Sequence, residues 1–127
     1  MMTITEIPFA HPSAHNGYSP FPDDFGLNQQ LLFHGTSEER AQSIINNGFN
    51  PTEQLKSSSF TTHKGLALGY ACDKRQNGFC GAVLAVSFKT LDTIGIRNEG
   101  KFVYLDDHNI QPVIVAVCYV PNSYKHV

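Results

Sequence analysis

The stretch Leu32-Phe33-His34-Gly35-Thr36-Ser37 sets the fold, because it leads an apolar segment directly into a polar helix start. The apolar residues that end at His34 predict a short β-strand over Gln30–His34. Gly35 lets another group approach the backbone closely, and its N–H and C=O could bind a planar amide. His34 could bind a sugar hydroxyl. The same residues also fit an ordinary helix N-terminus that carries an incidental histidine.

A helix is predicted over residues 37–47. Thr36 and Glu39 have the spacing of a capping box, in which each side chain bonds the backbone N–H of the other residue. Apolar residues three and four positions apart follow as a single stripe. The helix is expected to end at Asn47-Gly48, where glycine can adopt the left-handed backbone conformation.

The rest of the chain predicts one more helix and several strands. The expected elements are strands over 58–62, 82–88, 91–96, 101–105 and 113–120, and a helix over 64–73. This order lacks the long alternation of a doubly wound parallel sheet, so it predicts an α+β fold with a mostly antiparallel sheet and two short helices. The last strand is apolar at nearly every position, so we expect it to lie centrally in the sheet.

The pattern predicts a single domain over residues 29–127 and an irregular arm over residues 1–28. The arm is rich in Pro, Ser, Asn, Asp and Gly, which are typical of loops. A chain of 127 residues is within the usual range for one domain and can bury one core.

Composition narrows the classes of function. The formal net charge is −2, so the chain offers no excess of basic residues for nucleic acid, and a nucleic-acid partner is not expected. No apolar stretch is long enough to span a membrane, and no membrane partner is expected. The N-terminal residues lack the pattern of a secretory signal, so the sequence predicts a cytoplasmic protein.

The cysteines and histidines predict no metal site. Cys72, Cys80 and Cys118 are expected to be reduced thiols, with a Cys72–Cys80 pair as the open alternative. His11 and His15 have the spacing of a zinc-binding helix, but a proline between them argues against a helix there.

Three motifs in order resemble the NAD-binding half of the ADP-ribosyltransferases. Phe33-His34-Gly35-Thr36 looks like the family's aromatic-His-Gly-Thr/Ser motif, and the stretch from Ser59 to Ala71 looks like its second motif. Residues 102–106 and 112–115 resemble the last two strands. The resemblance covers roughly residues 30–121. It is to the branch with a His-Tyr-Glu triad, which includes diphtheria toxin and the poly(ADP-ribose) polymerases.

The resemblance implies a split, mostly antiparallel sheet and NAD as the substrate. The residues that it implies for NAD binding are His34, Gly35, Thr36, Ser59, Phe60 and Tyr70. Of these, Phe60 and Tyr70 would hold the nicotinamide ring between their faces, since aromatic rings attract a planar cation by stacking and cation–π interaction.

The chain departs from the family at the catalytic glutamate. An alignment without gaps places Lys101 there, and a lysine would repel the positive charge that develops on the sugar in the transition state. A carboxylate stabilises such an oxocarbenium-like sugar. Glu99 lies two residues earlier and would point to the same side of a strand. We therefore expect His34, Tyr70 and Glu99 to be the catalytic residues.

Three functions follow from these expectations. The first is an NAD-dependent mono-ADP-ribosyltransferase that releases nicotinamide and modifies a macromolecular acceptor, expected to be a protein. The second is a catalytically inactive binding module with the same fold, which Lys101 favours. The third is another NAD-consuming enzyme, such as a glycohydrolase or an RNA 2′-phosphotransferase. The phosphotransferases also use a His-Gly-Thr turn, but few basic residues lie near the motifs in this sequence.

Overall fold

A computed structural model describes residues 4–7, 9, 31–50, 57–76 and 78–122. In these residues the chain forms a mixed α+β fold. The strands are β1 (Thr5–Glu6), β2 (Leu32–Ser37), β3 (Ser58–Thr61), β4 (Gly81–Ser87), β5 (Ile96–Asn98), β6 (Phe102–Leu105) and β7 (Val113–Val120), and the helices are α1 (Glu38–Asn47) and α2 (Lys64–Lys74). Neither helix is long and apolar enough to cross a membrane.

The described strands form one sheet in the order β1-β7-β4-β2-β3-β6-β5. Every neighbouring pair is antiparallel except β1 and β7, which are parallel. The prediction of a mostly antiparallel α+β sheet with two helices is therefore confirmed. The apolar strand β7 is paired on both sides, although it lies second from an edge and not at the centre.

One strand prediction was wrong. The strand expected over 91–96 is mostly turns, and β5 begins only at Ile96, because Gly95 has a φ of +99° that a strand residue does not adopt. The arm expected over residues 1–28 contributes one short strand, since Thr5–Glu6 pairs with β7 and Ile7 N–H donates to the carbonyl of Val117 at 2.8 Å. Most of the other residues of that arm lie outside the described ranges.

The N-terminal cap of α1 is Ser37 and not Thr36. The Ser37 hydroxyl accepts a hydrogen bond from the Arg40 backbone N–H at 3.1 Å. Thr36 is instead a buried strand residue that pairs with Ala82. The capping box was the wrong prediction because β2 continues three residues beyond His34, which moves the start of the helix along the chain.

The helices pack on opposite faces of the sheet. Alternate residues of a strand point to opposite faces, and Leu32 packs with α1 whereas Phe33 packs with α2. On the α1 face the buried cluster includes Ile44 and Leu84. On the α2 face it includes Leu68. One helix therefore packs against each face of the sheet.

Helix α2 lies in direct backbone contact with the sheet. A Cβ atom added at Gly35 would overlap the backbone carbonyl of Ala67, and one added at Gly81 would overlap that of Ala71. The facing residues Ala67 and Ala71 are themselves small and fully buried. Two glycines on the sheet and two alanines on the helix therefore allow the close approach.

We expect a Gly35→Ala substitution to lower the free energy of unfolding by about 3 kcal/mol or more, because the new methyl group meets backbone atoms that cannot turn aside. Urea unfolding followed by circular dichroism measures the change. Gly65→Ala is the matched control, since a Cβ at that helical position meets no atom within 4 Å. The control should hold or raise stability by up to about 1 kcal/mol. Equal effects of the two substitutions would contradict this account of the packing.

Candidate functional site: the cleft between two diverging strands

Strands β2 and β3 separate soon after they meet. β2 pairs with β4 along all six of its residues, but it pairs with β3 only at Phe33 and Thr61. Beyond that point the two strands diverge, and a cleft of about 780 Å³ opens on this side of β2. A cleft of this size is within the range of ligand sites in proteins, which is roughly 300–1,000 Å³.

The peptide group of Gly35 faces this gap. Glu38 N–H donates to the carbonyl of Cys80 at 3.1 Å, in register with the β2–β4 ladder. In an antiparallel ladder the bonded pairs alternate, so Thr36 and His34 direct their N–H and C=O groups to β4. Gly35 directs its own N–H and C=O toward the cleft.

Ser59 faces the same gap from the other strand. Thr62 N–H donates to the carbonyl of Lys101 at 3.1 Å, in register with the β3–β6 ladder. By the same alternation, the peptide groups of Ser59 point toward β2. Continued pairing of the two strands would join Gly35 to Ser59.

The side chain of His34 replaces that backbone pairing. Its Nδ1 atom lies 2.7 Å from the carbonyl oxygen of Ser59. A carbonyl oxygen only accepts, so Nδ1 carries the proton and the other ring nitrogen, Nε2, keeps its lone pair. His34 thus satisfies the Ser59 carbonyl and leaves the peptide of Gly35 available.

The His34 ring is held in an aromatic environment. Its centroid is 5.2 Å from that of Phe49 and 5.5 Å from that of Phe60. Burial lowers the pKa of His34 to about 4, although the hydrogen bond to Ser59 opposes the shift. Positive charge on Lys74 and Arg40 lowers the pKa further. At neutral pH the ring is therefore uncharged, and Nε2 can accept a hydrogen bond from a hydroxyl group.

The cleft walls are aromatic and positively charged. Arg40, Lys74 and Arg97 line the cleft, and no acidic side chain is among its described lining residues. The aromatic lining comes from Phe33, Phe49, Phe60, Tyr70, Phe102 and Tyr104. A ligand with both a planar ring and a negatively charged group fits such walls.

The three cations differ in how far they are already engaged. Arg97 pairs with Asp106 at 2.7 Å and with Glu99 at 3.3 Å, and it lies over the Tyr104 ring, 4.7 Å from the ring centroid. Arg40 donates to a backbone carbonyl at 3.1 Å and, like Lys74, pairs with no described carboxylate. Arg40 and Lys74 therefore supply most of the positive charge that faces the cleft.

Comparisons with protein-family models, with curated proteins and with solved structures found no match to this chain.

The residues expected to bind NAD come together in the structure. His34, Gly35, Thr36, Ser59, Phe60 and Tyr70 all line this cleft. They come from β2, β3 and α2, so the fold joins two motifs that lie about 25 residues apart in sequence. Their roles differ, however, because they are exposed to different extents.

Phe60 and Tyr70 are not equivalent walls. Phe60 is 1% exposed, and its ring packs edge-on against Phe49 and Phe88. Its ring packs against that of His34 and presents little of its own face to a ligand. Tyr70 is 42% exposed and stands on α2 at the cleft. Tyr70 is the expected stacking residue that is open to a ligand.

The acidic residue expected for catalysis is not brought into the cleft. Glu99 is exposed on the turn between β5 and β6, where its carboxylate pairs with Arg97. Lys101 is also exposed, and its backbone carbonyl binds Thr61 and Thr62. The cleft-facing position at the start of β6 belongs to Phe102, so neither residue that the sequence suggested occupies it.

The sequence analysis did not predict the three cleft cations or the aromatic residue Phe49. Arg40 and Lys74 lie on separate helices, and Arg97 lies on an edge strand, so no local spacing connects them. Phe49 follows α1 and reaches the cleft only because the helix ends at Gly48 with a φ of +83°. The described residues hold no group of three metal-binding side chains, and no disulfide joins Cys72 to Cys80.

The lowered pKa of His34 predicts a pH dependence of stability. The folded value of about 4 lies below the unfolded value of 6.5, so the unfolded chain binds more protons between these pH values. The stabilisation is complete above pH 6.5 and is lost as the pH falls toward 4. We expect wild type to lose on the order of 2 kcal/mol more stability over this window than His34→Gln.

Urea unfolding at pH 7 and at pH 4.5 measures this difference. His63→Gln is the matched control, because His63 is an exposed histidine whose side chain makes no capping bond. The control should follow wild type at both pH values. If the free energy of unfolding of His34→Gln falls between pH 7 and pH 4.5 by as much as that of wild type, the neutral imidazole of His34 does not cause the acid sensitivity.

Proposed function

We propose that the chain binds NAD in the cleft between β2 and β3 and transfers ADP-ribose to a macromolecular acceptor, as a mono-ADP-ribosyltransferase. The proposal rests on the hydrogen bonding at the point where β2 and β3 diverge. His34 takes the Ser59 carbonyl, and the Gly35 peptide faces the cleft. One N–H and one C=O on the same residue match the carboxamide of nicotinamide, which offers one acceptor and one donor.

The neutral state of His34 supports a contact with ribose. A sugar hydroxyl donates readily to an imidazole lone pair, whereas a protonated ring would offer only donors. The lowered pKa, which burial causes, keeps His34 in the accepting form at neutral pH. The histidine therefore suits a hydroxyl group close to the nicotinamide.

The charge of the cleft supports the binding of the pyrophosphate. Arg40 and Lys74 face a space in which no described acidic residue competes for them. The two negatively charged phosphates of NAD would find these cations on the cleft walls. Tyr70 offers an exposed ring on the same side as Lys74, which lies one helical turn further along α2.

The transfer step breaks the bond between the ribose C1 atom and the nicotinamide nitrogen. The bonding electron pair leaves with nicotinamide, which becomes neutral, and an oxocarbenium-like sugar remains. The acceptor then adds a nucleophilic atom to C1 and gives up its proton. A carboxylate near C1 lowers the barrier, because it stabilises the positive charge that develops there.

Glu99 is the residue that we propose for this carboxylate. Its ion pair with Arg97 joins two exposed side chains, and such pairs contribute only about 0–1 kcal/mol. Arg97 itself lines the cleft, so a change of side-chain rotamer would move the Glu99 carboxylate from this partner toward the bound ribose.

Tyr70→Ala is expected to weaken NAD binding by about 3- to 30-fold, the range that follows from the loss of a stacking and cation–π contact. Isothermal titration calorimetry with NAD measures the affinity. Phe79→Ala is the matched control, since Phe79 is 57% exposed and does not line the cleft. The control should bind as wild type does. Unchanged affinity in the Tyr70 variant would remove Tyr70 from the site.

A second candidate is a binding module that holds NAD without cleaving it. The observation that favours it is the surplus of cations and the lack of an acidic side chain among the described lining residues. Positive charge around the ribose would raise the energy of an oxocarbenium-like sugar. The two candidates share the binding site and differ only in turnover.

Release of nicotinamide from NAD separates these two functions. For a transferase, we expect Glu99→Gln to bind NAD as wild type does and to release nicotinamide about 10²-fold more slowly, the typical cost of losing one electrostatic contact in a transition state. Glu39→Gln, an exposed acid on α1, is the control and should release it at the wild-type rate. Binding without release by wild type would instead establish the binding module.

A further inference from the structure

A serine and a histidine form a hydrogen-bonded pair at the wall of the cleft. The Oγ atom of Ser58 lies 2.9 Å from the Nε2 atom of His108. Ser58 is partly buried and lines the cleft. A hydroxyl within hydrogen-bond reach of an imidazole is the arrangement that activates a serine as a nucleophile. Neither residue has a role in the NAD contacts described above.

Gln111, which does not line the cleft, makes hydrogen bonds to the backbone of His108 and of Phe49. The Gln111 amide donates to the carbonyl of His108 at 2.7 Å and to that of Phe49 at 2.8 Å. Its Oε1 atom accepts the Phe49 backbone N–H at 2.8 Å. Gln111 therefore ties the backbone of the segment that carries His108 to a wall of the cleft.

Ser58 lies on the same face of the sheet as the His34 ring. Ser58 and Phe60 alternate along β3 and so share a face, and the Phe60 ring contacts that of His34. Two residues along a strand span about 7 Å. The Ser58 hydroxyl and the His34 imidazole therefore lie on the same face of the sheet, and both residues line the cleft.

We propose that Ser58 is itself an acceptor of ADP-ribose, with His108 as its general base. The inference rests on the proposed function. In the step, a bond forms between Ser58 Oγ and the ribose C1 atom as the bond from C1 to nicotinamide breaks. The bonding electrons leave with nicotinamide. The hydroxyl proton passes to Nε2 of His108, provided that the histidine carries its own proton on Nδ1, and then to water.

The neighbouring serines lack this arrangement. Ser57 donates to the carboxylate of Asp106, which Arg97 also binds. Both contacts lower the pKa of Asp106 and make that carboxylate a poor base. Ser59 points to the opposite face of β3 from Ser58. Among these three serines, Ser58 is the one bonded to an imidazole.

The test is to incubate the full chain with NAD and measure the intact mass, then locate any adduct by fragmentation. We expect wild type to gain the mass of one ADP-ribose at Ser58 and Ser58→Ala to gain none. Ser57→Ala is the matched control and should be labelled like wild type. His108→Gln should be labelled about 10²-fold more slowly, the usual contribution of a general base. NAD affinity, measured by calorimetry, should be unchanged in all three variants.

Different outcomes overturn different parts of the argument. Full labelling of Ser58→Ala, or an adduct at another residue, would exclude Ser58 as the acceptor and leave the transferase intact. Nicotinamide release without any adduct on wild type would do the same. Binding without release would mean that the chain is a binding module, and the absence of NAD binding would remove the proposed function itself. Either result would overturn the assignment of Ser58 as well.

Discussion

The missing side chain of Gly35 is the constraint on which both the packing and the cleft depend. On its side-chain face, the bare Cα atom lets the backbone of α2 rest directly on the sheet. In the plane of the sheet, its peptide group faces the gap that opens beside β2. Because α2 is seated there, its residues Tyr70 and Lys74 reach the cleft. Gly35 therefore allows α2 to pack on the face of the sheet and, in the plane of the sheet, presents its peptide group to the cleft.

The cleft exists because a side chain takes over a bond that the backbone would otherwise make. His34 donates to Ser59 across the gap, so β3 need not stay paired with β2, and neither the Ser59 carbonyl nor the Nδ1–H group of His34 is left unsatisfied. The cost is an imidazole kept neutral among aromatic rings and near two cations. Polar groups that are withdrawn from water persist when they are hydrogen-bonded, and the partly buried His34 ring is bonded at Nδ1 while Nε2 keeps its lone pair.

The charges of the site come from elements that are distant in sequence. Helix α1 contributes Arg40, helix α2 contributes Lys74, and the edge strand β5 contributes Arg97. A chain with a net charge of −2 can thus concentrate positive charge in one cleft, because no described acidic side chain lines it and Asp106 pairs with Arg97. Net charge therefore describes the chain as a whole and says little about the local field in a cleft.

The sequence by itself determined the α+β class, both helices and most strands, because apolar periodicity and the Asn47-Gly48 helix end are local signals. It also pointed to His34 and Gly35 as candidate site residues, although they lie within β2 and not in a turn. Only the tertiary structure decided that Ser37 caps α1, that Phe60 is buried while Tyr70 is open, and that Glu99 pairs with Arg97 and does not line the cleft. These features depend on where β2 ends, how closely α2 approaches the sheet, and which strands diverge. Each of them is set by contacts between residues far apart in the chain, which no local pattern of residue types records.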